Sequence, residues 1–372
     1  MKIFFCDNRL GGLLGFRIDI IRHLADIGHE VCLVVPSAKT EWDKVGTQTL
    51  QGVRIIEIEL EPSSKNPIKD SYLLFQYFQI FRRERPDIVF NYTIKPNIYS
   101  SIAAKWCGSK VICMVAGLGY MFEGSGLIKK LGLKLYKYGL NMAEKVLVLN
   151  KMNYDKLKDS HIVSTDKLIL LKGGEGVNLN AYPYQPSDYT SGVTFLMIAR
   201  VLYDKGYVEF VEAIRLLRNT FPNAHFEILG PIAYDSPMGI PRKIFEQDKK
   251  EGLFKYLGVV PNAAPVLSRP DIVVVLPSYH EGLNRSLMEA CAIGRPIITS
   301  DIPGCKETVE KGVNGYLVPP KNIKALAEAM SQFMKLPPEA KKEMAEQSYK
   351  LAKERFDIAK VISVYDKILC GE

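Results

Sequence analysis

Residues 272–300 read IVVVLPSYHEGLNRSLMEACAIGRPIITS. The apolar, β-branched run Ile272–Leu276 is typical of a strand that is buried on both faces of a sheet. A short turn containing Glu281 follows, and the apolar spacing after it predicts a helix that ends at Gly294. Residues 297–299 begin the next predicted strand. Glu281 is therefore expected at the carboxyl end of a parallel strand, which is the edge where such sheets bind ligands.

Two glutamates in this stretch are candidate site residues. Glu289 follows Glu281 by eight positions, and at about 100° per helical residue the two carboxylates cannot both reach one bond from one regular helix face. We expect Glu281 to lean over a ligand from the loop and Glu289 to reach it from the flank of the helix. Two solvated glutamates on a surface helix are the alternative. His280 either supports the site or is an ordinary turn residue.

Four segments of the second half carry a resemblance to a known enzyme family. They are residues 199–206 (ARVLYDKG), 280–290 (HEGLNRSLMEA), 294–307 (GRPIITSDIPGCKE) and 314–318 (NGYLV). In this order they resemble the retaining glycosyltransferases of family 4. The resemblance implies a GT-B fold, an α/β architecture in which two Rossmann-like parallel-sheet domains face a central cleft and a C-terminal helix crosses back to the first domain. It also implies functional roles for both glutamates.

Length and composition indicate a soluble protein of about two domains. The 372 residues are 47% hydrophobic, the mean hydropathy is −0.01, and no apolar run reaches the roughly 18 residues of a membrane-spanning helix. Asp7 interrupts the first apolar run too early for a signal peptide. Seven scattered cysteines without a C-x-x-C pair are typical of reduced thiols. We therefore expect a cytoplasmic protein without a metal site.

The net charge of +8 indicates an anionic partner. Nucleic acid, anionic lipid and the phosphates of a sugar nucleotide all qualify by charge alone. The sequence contains neither a nucleic-acid-binding motif nor a basic run interleaved with aromatic residues. Nucleic acid is therefore the least favoured partner, and we expect none.

Strand-like and helix-like segments alternate along the chain, which predicts parallel sheets covered on both faces. The predicted strands are residues 2–5, 30–35, 53–58, 87–90, 110–115, 145–149 and 168–171 in the first half, and 194–198, 225–229, 255–259, 272–276, 297–300 and 315–318 in the second. Predicted helices between them include residues 13–27, 72–83 and 96–106. An aperiodic segment with prolines and serines, residues 178–192, is the predicted linker. Residues 1–177, completed by about 356–372, would then form an acceptor-side domain, and residues 193–355 a nucleotide-sugar-binding domain.

Gly11 and Gly12 lie between the first predicted strand and a helix predicted to begin near Leu13. Adjacent glycines at such a turn let backbone N–H groups approach an oxyanion, although a plain tight turn is equally compatible with them. The dinucleotide fingerprint G-x-G-x-x-G is absent and no acid follows the second strand, which argues against an NAD-dependent oxidoreductase. In the resembled family this turn faces the donor diphosphate.

Arg200 and Lys205 are the candidate cations of the site. They precede Gly206 at a predicted strand-to-helix turn, where a guanidinium fork and an ammonium could clamp a diphosphate. Two ordinary surface cations are the alternative. No D-x-D-like metal motif accompanies them, so we expect the cations to stand in for a metal and no cofactor to be needed, as in the resembled family.

The resemblance also assigns contacts with the donor. It places Glu289 on the ribose, Glu281 on the hydroxyls of the donor sugar, and the backbone of one loop on the nucleotide base. The further donor-binding residues that it implies are Val260, for the base, with Gly282, Leu283 and Asn284.

Two loops, residues 93–97 (TIKPN) and 116–120 (AGLGY), resemble a bacterial subgroup of the family that elongates polyprenyl-diphosphate-linked sugars. Lys95, in the first loop, is a candidate cation on the acceptor side.

Lys130, Lys134 and Lys137 share one face of a predicted helix and are flanked by Leu131 and Tyr138. A basic stripe beside an apolar one suits an anionic membrane surface, where a lipid-linked acceptor would be met. A solvated face whose apolar neighbours pack on the sheet is the alternative.

These features predict a retaining glycosyltransferase that moves a hexose or N-acetylhexosamine from a nucleotide diphosphate sugar, with UDP as the expected nucleotide. The acceptor would be a polyprenyl-diphosphate-linked saccharide in cell-surface glycan synthesis, met at the inner face of the cell membrane. Two alternatives stay open: a nucleotide-sugar 2-epimerase, which needs no acceptor, and a non-catalytic sugar-nucleotide-binding protein. A glycoside hydrolase also uses two carboxylates. It is disfavoured because a diphosphate leaving group needs cations more than a carboxylic acid.

Overall fold

The computed structural model describes residues 1–36, 50, 52–62, 64, 66–118, 127–279 and 283–371. The chain divides into two compact units, Met1–Glu175 with Val361–Glu372, and Gly176–Lys360. Each unit is a parallel β-sheet with helices packed against it. The predicted α/β fold class is thereby confirmed.

The first unit contains a seven-stranded sheet in the order β3-β2-β1-β4-β5-β6-β7. Its strands are β1 (Lys2–Cys6), β2 (Glu30–Pro36), β3 (Val53–Ile58), β4 (Ile88–Tyr92), β5 (Lys110–Val115), β6 (Lys145–Val148) and β7 (Leu168–Leu170). The α-helices of this unit within residues 1–175 are α1 (Leu10–Phe16), α2 (Ile18–Asp26), α3 (Pro67–Glu84), α4 (Ser101–Trp106), α5 (Leu127–Met142) and α6 (Lys151–Asp159). The strand order reverses between β1 and β4, and ligands bind at such a switch point in open α/β sheets.

The second unit contains a six-stranded sheet in the order β10-β9-β8-β11-β12-β13. Its strands are β8 (Val193–Ile198), β9 (Ala224–Leu229), β10 (Lys255–Gly258), β11 (Ile272–Leu276), β12 (Ile297–Ser300) and β13 (Gly315–Val318). Its helices are α7 (Tyr207–Leu217), α8 (Arg242–Lys250), α9 (Ala264–Leu267), α10 (Arg285–Ile293), α11 (Ile323–Lys335) and α12 (Pro338–Arg355). Here the order reverses between β8 and β11, so the loops that follow these two strands lie at the switch point.

The last helix, α13 (Ile358–Cys370), belongs largely to the first unit although it follows the second in sequence. The ring of Tyr365 lies 4.9 Å from that of Phe90, and its hydroxyl is 2.9 Å from the hydroxyl of Tyr92. His23 Nε2 lies 3.0 Å from a carboxylate oxygen of Asp366. These contacts confirm that a C-terminal helix completes the first domain.

The prediction of one helix over residues 13–27 is wrong. Two helices occupy the segment, and Arg17 separates them with φ −126° and ψ 4°. The side chain of Arg17 is buried and forms ion pairs with Asp7 and Glu175. The break lets the guanidinium enter the interior, a requirement set by distant residues that no local helix signal carries.

The predicted linker, residues 178–192, lies within the second unit. The N–H of Gln185 donates to the carbonyl of Ile293 at 3.0 Å, and the hydroxyl of Tyr189 donates to the carbonyl of Ile272 at 3.1 Å. The boundary between the units falls directly after residue 175. The polar segment therefore runs along the second sheet rather than between the units.

The described part of the chain contains no helix long and apolar enough to cross a membrane, and no cluster of His, Cys, Asp or Glu residues that could hold a metal ion. All seven cysteines are free thiols and five of them are buried. Burial raises the pKa of Cys32 and Cys113 to about 12. These two thiols therefore stay protonated and unreactive at neutral pH.

Candidate functional site

The loops that follow β8 and β11 meet at the switch point of the second sheet. The carbonyl of Asp204 accepts a hydrogen bond from the N–H of Tyr279 at 2.9 Å. Gly206 caps α7 with φ 78°, so close to the second loop that a Cβ there would lie 2.3 Å from the carbonyl oxygen of Pro277. Both the backbone conformation and the close approach require glycine. The first loop is thus fixed against the segment that leads to the predicted catalytic turn.

Arg200 and Lys205 lie on the first of these loops. Arg200 follows β8 by two residues, is exposed, and forms no ion pair with any residue that the structure describes. Lys205 is half-buried and ends a single 3-10 turn, Tyr203–Lys205. Both predicted cations therefore lie on one loop at the carboxyl edge of the sheet, and their contact with a diphosphate stays a prediction.

Three residues of the predicted catalytic turn, His280, Glu281 and Gly282, lie outside the described residues. The description resumes at Leu283, whose half-buried side chain packs against the apolar core beneath α10. Val260, two residues beyond β10, packs against the same core. Both residues therefore lie near the carboxyl edge of the sheet, where they were predicted, and their contact with a donor stays a prediction.

Asn284 and Glu289 lie at the start and in the middle of α10. The side-chain oxygen of Asn284 accepts the backbone N–H of Leu287 at 3.0 Å, which caps the helix. Glu289 is 8% exposed, and its carboxylate lies 2.9 Å from Nε of Arg285. Glu289 is therefore a buried, oriented carboxylate and not the solvated surface residue that was the alternative.

A side-chain pair beside this turn escaped the sequence analysis. Glu209 lies in the first turn of α7, is 7% exposed, and accepts a hydrogen bond from the hydroxyl of Tyr279. Burial raises the pKa of the Glu209 carboxyl, although nearby Lys321 acts in the opposite direction. The ammonium of Lys321 lies 4.8 Å from the centroid of the Tyr279 ring. No local motif marks the pair, because the two partners are 70 residues apart.

Gly11 and Gly12 were predicted to form a turn before the first helix. They lie instead inside the first turn of α1. The helix begins at Leu10, three residues before the predicted start. A Cβ on Gly12 would lie 3.0 Å from Oδ2 of Asp7, and the carbonyl of Gly12 accepts a hydrogen bond from Arg17 at 3.0 Å. Close packing against Asp7 therefore accounts for Gly12, and donor contact by the two glycines stays a prediction.

Arg17 is a buried cation of the first unit that the sequence analysis also missed. It is 4% exposed, forms an ion pair with Glu175, and places Nη1 3.6 Å from Oδ2 of Asp7. Its guanidinium lies 4.0 Å from the centroid of the Tyr92 ring. Burial raises the pKa of the Asp7 carboxyl even though Arg17 lowers it. Arg17 thus ties β1 and α1 to the last residue of the unit before the chain enters the second.

Lys95, the predicted acceptor-side cation, is neutralised within the first unit. Its ammonium lies 2.7 Å from one carboxylate oxygen of Asp70, whose other oxygen accepts the hydroxyl of Tyr99 at 2.9 Å. The side chain of Lys95 is only 11% exposed. Contact of Lys95 with an acceptor would therefore have to compete with Asp70.

The basic stripe on α5 is solvent-accessible. Lys130, Lys134 and Lys137 are exposed, and none of them forms an ion pair with a described residue. On the same helix Leu131 is 60% exposed and Tyr138 is 50% exposed. Leu135, the third apolar residue beside the stripe, packs against the core of the first unit, as the alternative expects. Leu131 and Tyr138 do not follow that alternative, because they are exposed together with the lysines.

Two protein-family models match the chain, one in each half. The model described as "Glycosyl transferase 4-like" matches residues 13–150, and the model described as "Glycosyl transferases group 1" matches residues 185–351. Together they cover the switch points of both sheets.

Curated relatives and solved structures agree with these matches. The N,N'-diacetylbacillosaminyl-diphospho-undecaprenol alpha-1,3-N-acetylgalactosaminyltransferase of Campylobacter jejuni is 28% identical over 353 residues, 90% of this chain and 89% of that protein. The UDP-Gal:alpha-D-GlcNAc-diphosphoundecaprenol alpha-1,3-galactosyltransferase of Escherichia coli is 24% identical, over 71% of this chain and 70% of that protein. The structure of HepE from Anabaena in complex with UDP superposes with a TM-score of 0.80 at 19% identity, covering 100% of both chains. A glycosyltransferase structure from Rickettsia africae has a TM-score of 0.77 at 20% identity, over 99% of this chain and 97% of that one.

Proposed function

This chain is a glycosyltransferase of the GT-B fold, and from that premise we propose that it moves a sugar from a UDP-sugar to a polyprenyl-diphosphate-linked saccharide. The sugar is a hexose or N-acetylhexosamine, and its anomeric configuration is retained. The observation that carries the proposal is the contact between the loop of Arg200 and Lys205 and the segment that leads to Glu281. The acceptor class is suggested by the two relatives, whose names both specify a sugar linked through a diphosphate to undecaprenol.

Arg200 and Lys205 act on the leaving group in this proposal. When the bond between the anomeric carbon and the diphosphate breaks, the electron pair stays with the diphosphate oxygen, and negative charge develops there. Two preformed cations stabilise that charge more strongly in the transition state than in the ground state, which is the condition for a faster chemical step. The acceptor hydroxyl then attacks the anomeric carbon from the same face of the sugar and passes its proton to the departing diphosphate oxygen, so the configuration is retained. We expect the two cations to suffice without a metal ion or other cofactor.

The two carboxylates hold the donor. Glu281 binds hydroxyls of the donor sugar, and Glu289, oriented by Arg285, accepts hydrogen bonds from the ribose. The remaining donor contacts in this proposal are made by Gly11, Gly12, Val260, Gly282, Leu283 and Asn284.

An isomerase and a non-catalytic binding protein are less well supported. A nucleotide-sugar 2-epimerase needs acid and base groups at a sugar carbon and has no use for an acceptor. Both relatives described above are named as transferases. A binding protein has no need of two cations placed where a diphosphate would leave.

A panel of UDP-, GDP- and ADP-sugars identifies the donor. Each is incubated with a polyprenyl-diphosphate-linked disaccharide, and the lipid product is analysed by mass spectrometry and by NMR of its new anomeric proton. We expect one UDP-sugar to add a single residue with the anomeric configuration of the donor. An inverted product, or conversion of the donor sugar without any change in the lipid, would contradict the proposal.

We also propose that α5 meets the membrane, because its exposed stripe joins Leu131 and Tyr138 to three lysines that form no ion pair with the residues that the structure describes. The lysines would lie near anionic headgroups while the apolar side chains enter the interface. A protein bound in this way is peripheral, on the cytoplasmic face where the polyprenyl-linked acceptor is elongated.

Replacing Lys130, Lys134 and Lys137 by glutamine should weaken binding to phosphatidylglycerol vesicles by about 10²-fold, since each lysine near an anionic surface contributes about 1 kcal/mol. Vesicle co-sedimentation measures the change. A variant with glutamine at the exposed Lys249, Lys250 and Lys255 of the second unit loses the same net charge and should bind as the wild type does. Equal losses in both variants would show that net charge and not α5 governs binding.

A further inference from the structure

The two loops of the donor site are tied together first through their backbones. The carbonyl of Asp204 accepts hydrogen bonds from the N–H of Tyr279 at 2.9 Å and from the hydroxyl of Ser278 at 3.1 Å. Asp204 directly precedes Lys205, and Tyr279 precedes Glu281 by two residues. Displacement of either loop would therefore displace a residue that the proposed mechanism uses.

A second tie joins the loop after β11 to helix α7, through the half-buried side chain of Tyr279 and the buried side chain of Glu209. The Tyr279 hydroxyl donates to Oε1 of Glu209, while Oε2 of Glu209 is buried and accepts no hydrogen bond from the described residues. The Tyr279 hydroxyl and the nearby ammonium of Lys321 compensate part of the hydration that the Glu209 carboxylate loses on burial.

Lys321 completes this cluster from a third direction. It lies between β13 and α11. Its ammonium lies over the face of the Tyr279 ring, and its charge acts to lower the pKa of Glu209 against the effect of burial. A cation over an aromatic face attracts the ring electrostatically. The Tyr279 side chain is thus held both by this contact and by its hydrogen bond to Glu209.

We propose that Glu209 and Tyr279 are positioning residues for sugar transfer, which hold residues 277–279, the segment that leads to Glu281 in the sequence, against α7 and the loop of Arg200 and Lys205. The inference rests on the proposed function, because Glu281, Arg200 and Lys205 are the residues that it places on the donor. A displacement of reacting groups by about 1 Å can lower a rate by about 10²-fold. A hydrogen bond that fixes residues 277–279 therefore affects turnover more than it affects folding.

Tyr279→Phe removes the hydroxyl and keeps the ring. We expect kcat for transfer to fall by about tenfold or more, while the Kd for UDP measured by calorimetry changes by less than about twofold. UDP affinity is expected to persist because the carbonyl of Asp204 keeps its hydrogen bonds from the Tyr279 N–H and the Ser278 hydroxyl. The melting temperature should stay within a few degrees of the wild-type value.

Substitutions of Glu209 distinguish its hydrogen bond to Tyr279 from the effect of its negative charge. The amide oxygen of Glu209→Gln can still accept the tyrosine hydroxyl, so this variant should keep kcat near the wild-type value, whereas Glu209→Ala should match Tyr279→Phe. Glu212, on the same helix, is exposed and paired with Arg215 at 2.9 Å, and Glu212→Gln serves as the matched control with unchanged kcat. Equal impairment of Glu209→Gln and Glu209→Ala, or full activity of Tyr279→Phe, would overturn the assignment.

Hydrogen exchange tests the same inference without any transfer assay. Tyr279→Phe should accelerate amide exchange in peptides covering residues 277–290 in the UDP-bound protein and leave α8 unchanged. Unchanged exchange in residues 277–290 would refute the tie. Absence of transfer in the wild type, by contrast, would refute the proposed function while leaving this measurement valid.

Discussion

Lys205→Ala should lower kcat for sugar transfer by about 10²- to 10³-fold, the loss typical of removing one preorganised group that stabilises charge in a transition state. Lys205 lies half-buried at the end of a short loop turn, and loop substitutions away from a core usually change the free energy of unfolding by less than about 1 kcal/mol. Turnover at saturating donor and acceptor, measured beside urea denaturation of the same sample, separates the two effects.

Two variants control this measurement. Lys205→Arg keeps the charge and should recover part of the activity, limited by the different geometry of a guanidinium. Lys243→Ala removes an exposed lysine from α8 in the same unit and should leave kcat unchanged. A loss of stability in Lys205→Ala large enough to explain its loss of activity would argue against the clamp.

Arg17→Met should lower the free energy of unfolding by about 3–5 kcal/mol, the usual cost of removing one partner of a buried ion pair. The substitution leaves the carboxylates of Asp7 and Glu175 buried without their cation. It also removes the guanidinium from the face of Tyr92. Urea denaturation followed by tryptophan fluorescence and by circular dichroism measures the change. Arg83→Met is the control: it removes an exposed cation from Glu84, which keeps its pairs with Lys2 and Arg54, and should cost less than about 1 kcal/mol.

The loss of stability in Arg17→Met should depend on pH. Burial already raises the pKa of Asp7 in the presence of Arg17, and loss of the cation raises it further. A carboxyl group whose folded pKa is raised contributes stability that is present below its unfolded pKa of about 4 and is lost as the pH rises through the folded pKa. The deficit of Arg17→Met should therefore be larger at about pH 7.5 than at about pH 4.5. A deficit that grows on acidification would show that the carboxylates are not its cause.

Apolar runs and glycine stops in the sequence predicted strands and helix ends correctly where neighbouring residues alone determine them. The run Ile272–Leu276 and the stop at Gly294, which caps α10 with φ 85°, lie where the sequence placed them. The break at Arg17 was not predictable, because its cause is an ion pair with Glu175, a residue at the far end of the first unit. Residues 178–192 carry the composition of a linker, yet their backbone groups find partners at the end of α10 and in the loop before β11, at Ile293 and Pro270.

The donor site was predictable only in part, for the same reason. Arg200, Lys205 and Gly206 lie within one short segment, so their spacing could be interpreted directly. Glu209 comes from helix α7 and Tyr279 from the loop after β11, and only the folded sheet brings them together. Lys95 has the composition of a binding cation, but its pairing with Asp70 is a tertiary contact that its sequence neighbours do not indicate.

The most direct test of the central claim is release of UDP in the presence of EDTA, with and without the polyprenyl-diphosphate-linked saccharide. The proposed mechanism predicts release that requires the acceptor, continues at an undiminished rate in EDTA, and falls by about 10²-fold or more in Lys205→Ala. Release that stops when EDTA is added would contradict the role given to Arg200 and Lys205. Conversion of the donor sugar without acceptor would contradict transfer itself.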